Sequence, residues 1–295
     1  MIAQSIPSPG IVRDYIALTK PRIISLLLVT AVGGMVLAAK GLPDPMIALF
    51  VIVCGYLAAG GAHALNHYIE SDIDSMMHRT RKRPVASGRV SRRQALVFGI
   101  VLTIASFALL SAFVNVLSAA LTLSGTLIYI FVYTIGLKRS TPQNIVIGGA
   151  AGAVPPMVGW AAVTGTVGLP AVYLFAIIFF WTPPHFWALA LLIKDDYARA
   201  GVPMLPVVTS VVDTKQHILL YTVLLVALTL MFFTTGAVGW VYLVSALGLG
   251  GGFIYLAIMH IRSEGTEGTK SLYLYSLLYL ALLFLAVMID GMVNV

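Results

Sequence analysis

Long hydrophobic stretches alternate with short polar breaks along the 295-residue chain. A helix needs about 20 mostly apolar residues to cross a bilayer, and nine of the stretches are long enough. They are predicted at 23–39, 46–69, 94–112, 115–136, 143–163, 169–193, 217–236, 239–260 and 271–291. The pattern therefore predicts an all-α integral membrane protein, a bundle of nine transmembrane helices that forms a single domain over residues 1–295.

The distribution of charge agrees with nine spans. Only 10% of the residues are charged, against about 25% in soluble domains. With nine spans, 17 of the 18 Lys and Arg residues fall on one side, and only Lys40 falls on the other. The positive-inside rule places the basic side and the N-terminus in the cytoplasm. We therefore expect a multi-pass protein of the cytoplasmic (inner) membrane with its C-terminus on the outer side. The net charge of +7 then reflects topology, and no nucleic-acid partner is expected.

Glycines and prolines inside the stretches bear on how the helices pack. Small residues such as Gly159 let helices approach closely in lipid. The pairs Pro155-Pro156 and Pro183-Pro184 are expected to break two helices in mid-membrane, which is tolerated where the freed backbone faces protein or a cavity. We therefore expect the bundle to surround a central cavity that opens to the cytoplasmic side.

A polar stripe lies at the cytoplasmic end of the second predicted helix. Asn66, Glu70 and Asp74 are spaced four residues apart, which keeps all three on one helix face, whereas Asp72 lies on the far side. Carboxylates at a membrane edge are costly unless they are paired or hold a cation. Oxygen ligands suit Mg²⁺, which bridges carboxylates to phosphate oxygens. The spacing favours a magnesium–diphosphate site over a helix end that is paired only with nearby arginines.

Basic side chains in the cytoplasmic loops match this acidic stripe. Guanidinium and ammonium groups bind phosphate oxygens, and four of them are expected to do so here: Arg79, Lys82, Lys138 and Arg139. The pair Lys138-Arg139 could equally be a topology signal. Lys20 and Arg22 are interpreted as an interfacial anchor of the first span.

Two further acidic residues, Asp195 and Asp196, follow the sixth predicted helix. They could contribute to a second magnesium site or form a solvated turn. Two histidines, His63 and His67, share the face of the polar stripe. Residues from several loops that could bind metal or phosphate are therefore expected to converge at the cytoplasmic end of the bundle.

These residues resemble the UbiA superfamily of intramembrane prenyltransferases. The first acidic motif of that family is Asn-x-x-x-Asp-x-x-x-Asp, and Glu70 stands at its middle position here. The second is Asp-x-x-x-Asp, but Ala200 lies four places after Asp196, so only the adjacent Asp195-Asp196 pair can serve. The chain most resembles the branch of the family that farnesylates haem, in segments 18–22, 66–84, 133–139, 141–150, 155–160, 181–187 and 194–206.

The resemblance implies a reaction and its substrates. A farnesyl group passes from farnesyl diphosphate to a vinyl group of haem B with addition of water, giving haem O and diphosphate. Mg²⁺ is the implied cofactor, and it assists ionisation of the allylic diphosphate, while haem B is a substrate. The implied partners are the lipid bilayer and haem A synthase or the assembly of a terminal oxidase.

The resemblance also implies roles for the candidate residues. Asn66, Glu70, Asp74 and Lys138 are the expected catalytic residues, with metal ligands drawn from Glu70, Asp74, Asp195 and Asp196. Tyr133 could stabilise the farnesyl cation through its ring face. Neutral imidazole is a good iron ligand, so His63, His67 and His185 are candidate haem contacts, although a lone buried histidine is more often simply hydrogen-bonded.

Three alternatives remain open. A sister prenyltransferase with a quinone-precursor or chlorin acceptor would keep the diphosphate site, but the Pro-Pro segments and His185 match the haem branch. An ion-coupled transporter would place its acids near the bilayer midplane, whereas this stripe lies at the cytoplasmic end. A haem-binding membrane subunit would need paired axial histidines and would have no use for a diphosphate site.

Overall fold

The computed structural model describes residues 10–293 and confirms the nine predicted spans. Within these residues, the helices long and apolar enough to cross a membrane, called the first to ninth spans, are Pro21–Ala39, Pro45–Ile69, Arg92–Phe113, Val116–Leu137, Asn144–Thr164, Leu169–Leu192, Val211–Phe233, Trp240–Arg262 and Thr269–Val293. Shorter helices lie at the face where the first span begins, here called the N-terminal face: Ile11–Thr19, Ser71–Met76, Lys194–Arg199 and Leu205–Val208. The chain is a multi-pass membrane protein.

Hydropathy misplaced the start of the seventh span, and helix capping explains why. The seventh span was predicted to begin at residue 217, but it begins at Val211. Ser210 and Asp213 form a capping box that satisfies the first backbone N–H groups. The charged first turns therefore belong to the helix although they are not apolar.

The spans form a closed ring in which each helix packs against its neighbours in the chain and the ninth returns to the first. The first and fifth spans also pack against each other. A Cβ atom on Gly159 would overlap the carbonyl oxygen of Ala31, and one on Gly34 would overlap that of Pro156. Only glycine permits this approach, which explains how two helix backbones come into direct contact.

The prediction that the proline pairs break two helices was wrong. Pro155 and Pro156 lie inside Ala150–Thr164, and Pro183 and Pro184 lie inside Leu169–Leu192. In a membrane helix that is supported by neighbours, the loss of a few backbone hydrogen bonds does not force a break. The fifth span is instead interrupted at Gly149, where the sixth span approaches so closely that a Cβ would lie 2.8 Å from Thr182 Cγ2.

The polar stripe does not lie on one uninterrupted helix, as the spacing suggested. The second span ends at Ile69, Glu70 adopts φ −94° and ψ 12°, and a new helix starts at Ser71. Hydrogen bonds from Glu70 N to Asn66 O (2.9 Å) and from Asp74 N to Glu70 O (2.8 Å) cross the junction. The four-residue repeat therefore survives, and all three stripe side chains are buried.

Candidate active site

Each carboxylate of the stripe forms an ion pair with a basic side chain of the same chain. Lys138 Nζ donates to both Glu70 oxygens, at 2.5 and 2.6 Å. Arg83 Nη1 donates to both Asp74 oxygens, at 2.7 and 2.8 Å. The carboxylates are almost fully buried and the cations are largely so. Two charge-assisted ion pairs therefore lie side by side at the N-terminal face.

The amide of Asn66 joins the same cluster from the next turn. Its Oδ1 accepts from Lys20 Nζ at 3.1 Å, and its Nδ2 donates to Thr134 Oγ1 at 3.3 Å. Lys20 is the single residue between the helix Ile11–Thr19 and the first span, and its backbone is left-handed, with φ 54°. This turn, followed by Pro21, directs the lysine towards the stripe.

The fourth span supplies its side chains through a widened last segment. Residues Ile128–Leu137 form a π-helix, in which Thr134 Oγ1 donates to Tyr129 O five residues earlier. Thr134 and Lys138 face Asn66 and Glu70 with the same four-residue spacing. Such widened segments are often found at functional sites.

The cluster perturbs its own ionisation. Burial would raise the pKa of Glu70, but the charge and hydrogen bonds of Lys138, with the charge of Lys20, hold that pKa below its ordinary value. Burial and the nearby charge of Arg83 lower the pKa of Lys20 well below its ordinary value, against the opposing effect of Glu70 and Asp74. The ionised form of Glu70 thus depends on its cationic neighbours.

A cavity of about 530 Å³ opens beside the cluster. It is lined by basic side chains, namely Lys20, Arg22, Arg79, Lys82, Arg83 and Arg89. No carboxylate from residues 10–293 lines it, although Arg89 also pairs with buried Asp14 at 2.9 Å. The cavity can therefore accept a polyanion, and it shares Lys20 and Arg83 with the acidic cluster.

The remaining predicted phosphate ligands are divided by the structure. Arg79 and Lys82 line the basic cavity. Arg139 instead forms a two-pronged pair with Asp72, with both contacts at 2.8 Å, and both side chains are exposed. Its hydrogen bonds lower the pKa of Asp72. Arg139 is therefore held outside the cavity in this structure.

The acids of the second candidate motif lie at the edge of the site. Asp196 accepts backbone hydrogen bonds from His78 and Arg79, both at 3.3 Å, and pairs with Arg199 at 2.5 Å. It thus fastens the loop that carries Arg79. Asp195 is exposed. Across residues 10–293, no group of three or more His, Cys, Asp or Glu side chains is placed to hold a metal ion by protein ligands alone.

The histidines form two separate environments. His63 and His67 are buried, and their ring nitrogens have no hydrogen-bond partner within residues 10–293. His67 lines the basic cavity. His185 lies apart, with Nδ1 2.7 Å from Ser276 Oγ and its ring stacked between Trp181 and Tyr273.

Sequence reasoning missed three members of the cluster. Arg83 ends the basic run Arg79, Arg81, Lys82 and Arg83 but was not among the expected phosphate ligands. Lys20 was interpreted as an anchor, and Thr134 was not singled out. The first two carried a signal, since one is the last charge of that run and the other precedes a proline at a helix start. Thr134 lies four residues before Lys138, but nothing in the pattern marked it.

The fold and the site define a polytopic membrane protein with an acid–cation cluster and an anion cavity at one face. Residues 27–288 match the UbiA prenyltransferase family, and the chain belongs to that family. It is 50% identical to the protoheme IX farnesyltransferase of Roseiflexus castenholzii over 96% of this chain and 53% of the relative. It is 50% identical to that of Gloeobacter violaceus over 94% of this chain and 92% of the relative. The chain thus spans about half the length of some relatives and nearly all of others.

Solved structures share the fold at low sequence identity. A structure of digeranylgeranylglyceryl phosphate synthase superposes with a TM-score of 0.79 at 18% identity, covering 95% of this chain and 98% of the other. A UbiA homologue from Archaeoglobus fulgidus bound to GPP and Mg²⁺ gives 0.67 at 16% identity, covering 93% and 99%. At these identities the similarity supports the fold alone.

Proposed function

We propose that the chain transfers the farnesyl group of farnesyl diphosphate to a vinyl group of haem B, with addition of water, to give haem O and diphosphate. Relatives that are about half identical over nearly the whole chain are named for this activity. The observation that supports it best is the buried acid–cation cluster next to a basic cavity. We assign the reaction to one domain over residues 1–295 in the cytoplasmic (inner) membrane, with a cytoplasmic N-terminus and an outer C-terminus.

The donor set of the cluster fits Mg²⁺. The A. fulgidus homologue binds GPP and Mg²⁺, and Glu70, Asp74 and Asn66 offer hard oxygen atoms of the kind that this ion prefers. With few protein ligands, the ion would need phosphate oxygens and water to complete its coordination. When bound, Mg²⁺ would neutralise charge on the departing diphosphate. Asp195 and Asp196 remain candidates for a second ion.

The basic residues would hold the diphosphate. Arg79 and Lys82 line the cavity, while Lys138 and Arg83 already donate charge-assisted hydrogen bonds to carboxylate oxygens. Phosphate oxygens can replace those acceptors without loss of charge complementarity. Preorganised cations stabilise the negative charge that develops as the C–O bond breaks. Arg139 could join only after leaving Asp72.

The farnesyl cation reacts readily with water, so the site must exclude water until the new carbon–carbon bond has formed. The allylic C–O bond breaks with its electron pair on the diphosphate, and the farnesyl carbon then bonds to a vinyl carbon of haem B. Water adds to the second vinyl carbon and loses a proton, which leaves the hydroxyl group. Tyr133, whose ring centre lies 5.7 Å from Lys138 Nζ, would stabilise the farnesyl cation through its ring face. His63, His67 and His185 are the candidate haem contacts.

A comparison of two acceptors tests this function. The purified protein is incubated with farnesyl diphosphate, Mg²⁺ and either haem B or a phenolic quinone precursor, and the products are resolved by mass spectrometry. We expect a farnesylated adduct of haem only. An adduct of the phenolic acceptor alone would refute the haem assignment and keep the prenyltransferase class. Metal or substrate transport into vesicles without any adduct would refute both.

A further inference from the structure

An apolar groove of about 420 Å³ lies on the outside of the bundle, between the helix Ile11–Thr19 and the second and third spans. Its lining includes Tyr15, Ile16, Tyr56, Leu57, Phe98 and Leu102. No charged side chain from residues 10–293 lines it. The hydroxyl groups of Thr19 and Tyr56 satisfy each other at 2.9 Å. The groove therefore suits a hydrocarbon chain and offers little to a polar ligand.

The local packing makes the groove a fixed feature. The second and third spans cross closely at Gly61 and Gly99, where a Cβ on Gly99 would lie 2.9 Å from Gly61 O. The helix Ile11–Thr19 is held from its other side by the ion pair between Asp14 and Arg89 at 2.9 Å. The space between these supports is thus defined by backbone contacts and a partly buried ion pair.

The side chains that this helix contributes to the groove are apolar and largely exposed. Ile11, Val12 and Ile16 are 67%, 70% and 51% exposed, respectively. An apolar helix face beside membrane spans is typical of a helix that lies in the bilayer interface. The groove therefore opens towards lipid rather than towards water.

Two exposed arginines lie on helices that border the groove. Arg13 follows Val12 on the groove helix. The guanidinium of Arg92 lies 5.1 Å from the ring centre of Tyr68, which packs against the same hydrophobic cluster as two groove residues, Tyr15 and Phe98. Neither arginine forms an ion pair with a residue from 10 to 293. Anionic lipid headgroups are the abundant partners of such cations at a cytoplasmic membrane surface.

We propose that this groove binds one anionic phospholipid, with an acyl chain between the helix Ile11–Thr19 and the second and third spans and its phosphate near Arg13 and Arg92. The bound lipid stabilises the position of the helix. That helix leads directly into Lys20, whose Nζ donates to Asn66. Lipid composition is thereby linked to the geometry of the polar cluster, by a site that takes neither substrate.

Native mass spectrometry of the intact protein from nanodiscs tests the site. We expect one retained phosphatidylglycerol and no retained phosphatidylcholine. Leu57→Trp fills the groove and should abolish retention. The double variant R13Q/R92Q should weaken binding roughly 30-fold, since each basic residue contributes about fivefold at a membrane surface. The two changes alter different parts of the site, so either one tests it if the other fails to fold.

Matched controls make the same kinds of substitution at exposed positions away from the groove. Leu278→Trp on the ninth span, where the native side chain is 50% exposed, and the double variant R262Q/K270Q should keep the lipid. Retention by L57W, or unweakened binding by R13Q/R92Q, in protein with unchanged circular dichroism, would overturn the proposal. Equal retention of phosphatidylcholine would do the same, because the cations would then have no role. Displacement of the lipid by farnesyl diphosphate would instead assign the groove to the substrate path.

Discussion

Replacing Lys138 with methionine is expected to strengthen the binding of Mg²⁺ alone, although it removes a residue of the proposed catalytic set. In the structure, Lys138 occupies both oxygen atoms of Glu70 at 2.5 and 2.6 Å, and Arg83 does the same to Asp74. A metal ion that enters alone must displace these cations and leave them unpaired and largely buried. Diphosphate alone would leave the carboxylates unpaired. When both ligands bind, Mg²⁺ pairs with the carboxylates of Glu70 and Asp74, and the diphosphate pairs with Lys138 and Arg83.

The strength of a hydrogen bond to a charged group sets the expected change in Mg²⁺ affinity. A hydrogen bond to a charged group contributes about 1.5–3 kcal/mol, and about 1.4 kcal/mol corresponds to a tenfold change in affinity. Removing the competing ammonium should therefore tighten binding of Mg²⁺ alone by roughly 10- to 100-fold. In the native protein, Mg²⁺ and a diphosphate should strengthen each other's binding by a similar factor, since coupling between two ligands is reciprocal.

Isothermal titration of wild-type protein and K138M with MgCl₂, with and without farnesyl thiodiphosphate, measures both quantities. Lys138 contributes to holding the pKa of Glu70 below its ordinary value, so its removal raises that pKa and lets protons compete with the metal. Titration at pH 8 avoids this competition. R83Q provides a second, independent variant at Asp74. Two results would refute the proposal that the ligands replace the ion pairs of the cluster. One is unchanged or weaker Mg²⁺ binding in both folded variants, and the other is independent binding of the two ligands to the wild type.

Three further outcomes follow from the structure. D74N should abolish turnover while the protein is still expressed, and full activity would remove Asp74 from the metal site. Arg139 lowers the pKa of Asp72, so the pair stabilises the fold above the ordinary aspartate pKa and loses this effect as pH falls through the lowered value. D72N should remove that acid-dependent part of the unfolding curve, worth less than about 1 kcal/mol because the pair is exposed. G159A should lower the unfolding temperature by pushing the first and fifth spans apart, whereas G152A, with open space at its Cβ, should not. Equal effects of the two alanines would contradict the packing described here.

Hydropathy was sufficient for the nine spans because a bilayer imposes one length and one composition on every crossing helix. It misplaced the start at Val211 since capping, rather than apolarity, sets that boundary. The break expected at Pro183 and Pro184 is absent because neighbouring helices support the sixth span. Local sequence does not report tertiary contacts of this kind.

The four-residue spacing of the stripe correctly placed Asn66, Glu70 and Asp74 on one side, since backbone hydrogen bonding continues across the junction at Glu70. It could not identify Lys20 and Arg83 as partners. Lys20 lies 46 residues before Asn66 in the sequence, and only folding brings the two together. The roles of the predicted metal ligands and haem contacts stay predictions.

The composition of the product tests the central claim most directly. The protein is incubated with haem B, farnesyl diphosphate and Mg²⁺ in water labelled with oxygen-18, and the porphyrin products are analysed by high-resolution mass spectrometry. We expect haem that has gained one farnesyl group and one labelled hydroxyl group, with release of one equivalent of diphosphate. Diphosphate release without a haem adduct, or a farnesylated haem that carries no labelled oxygen, would contradict the proposed reaction.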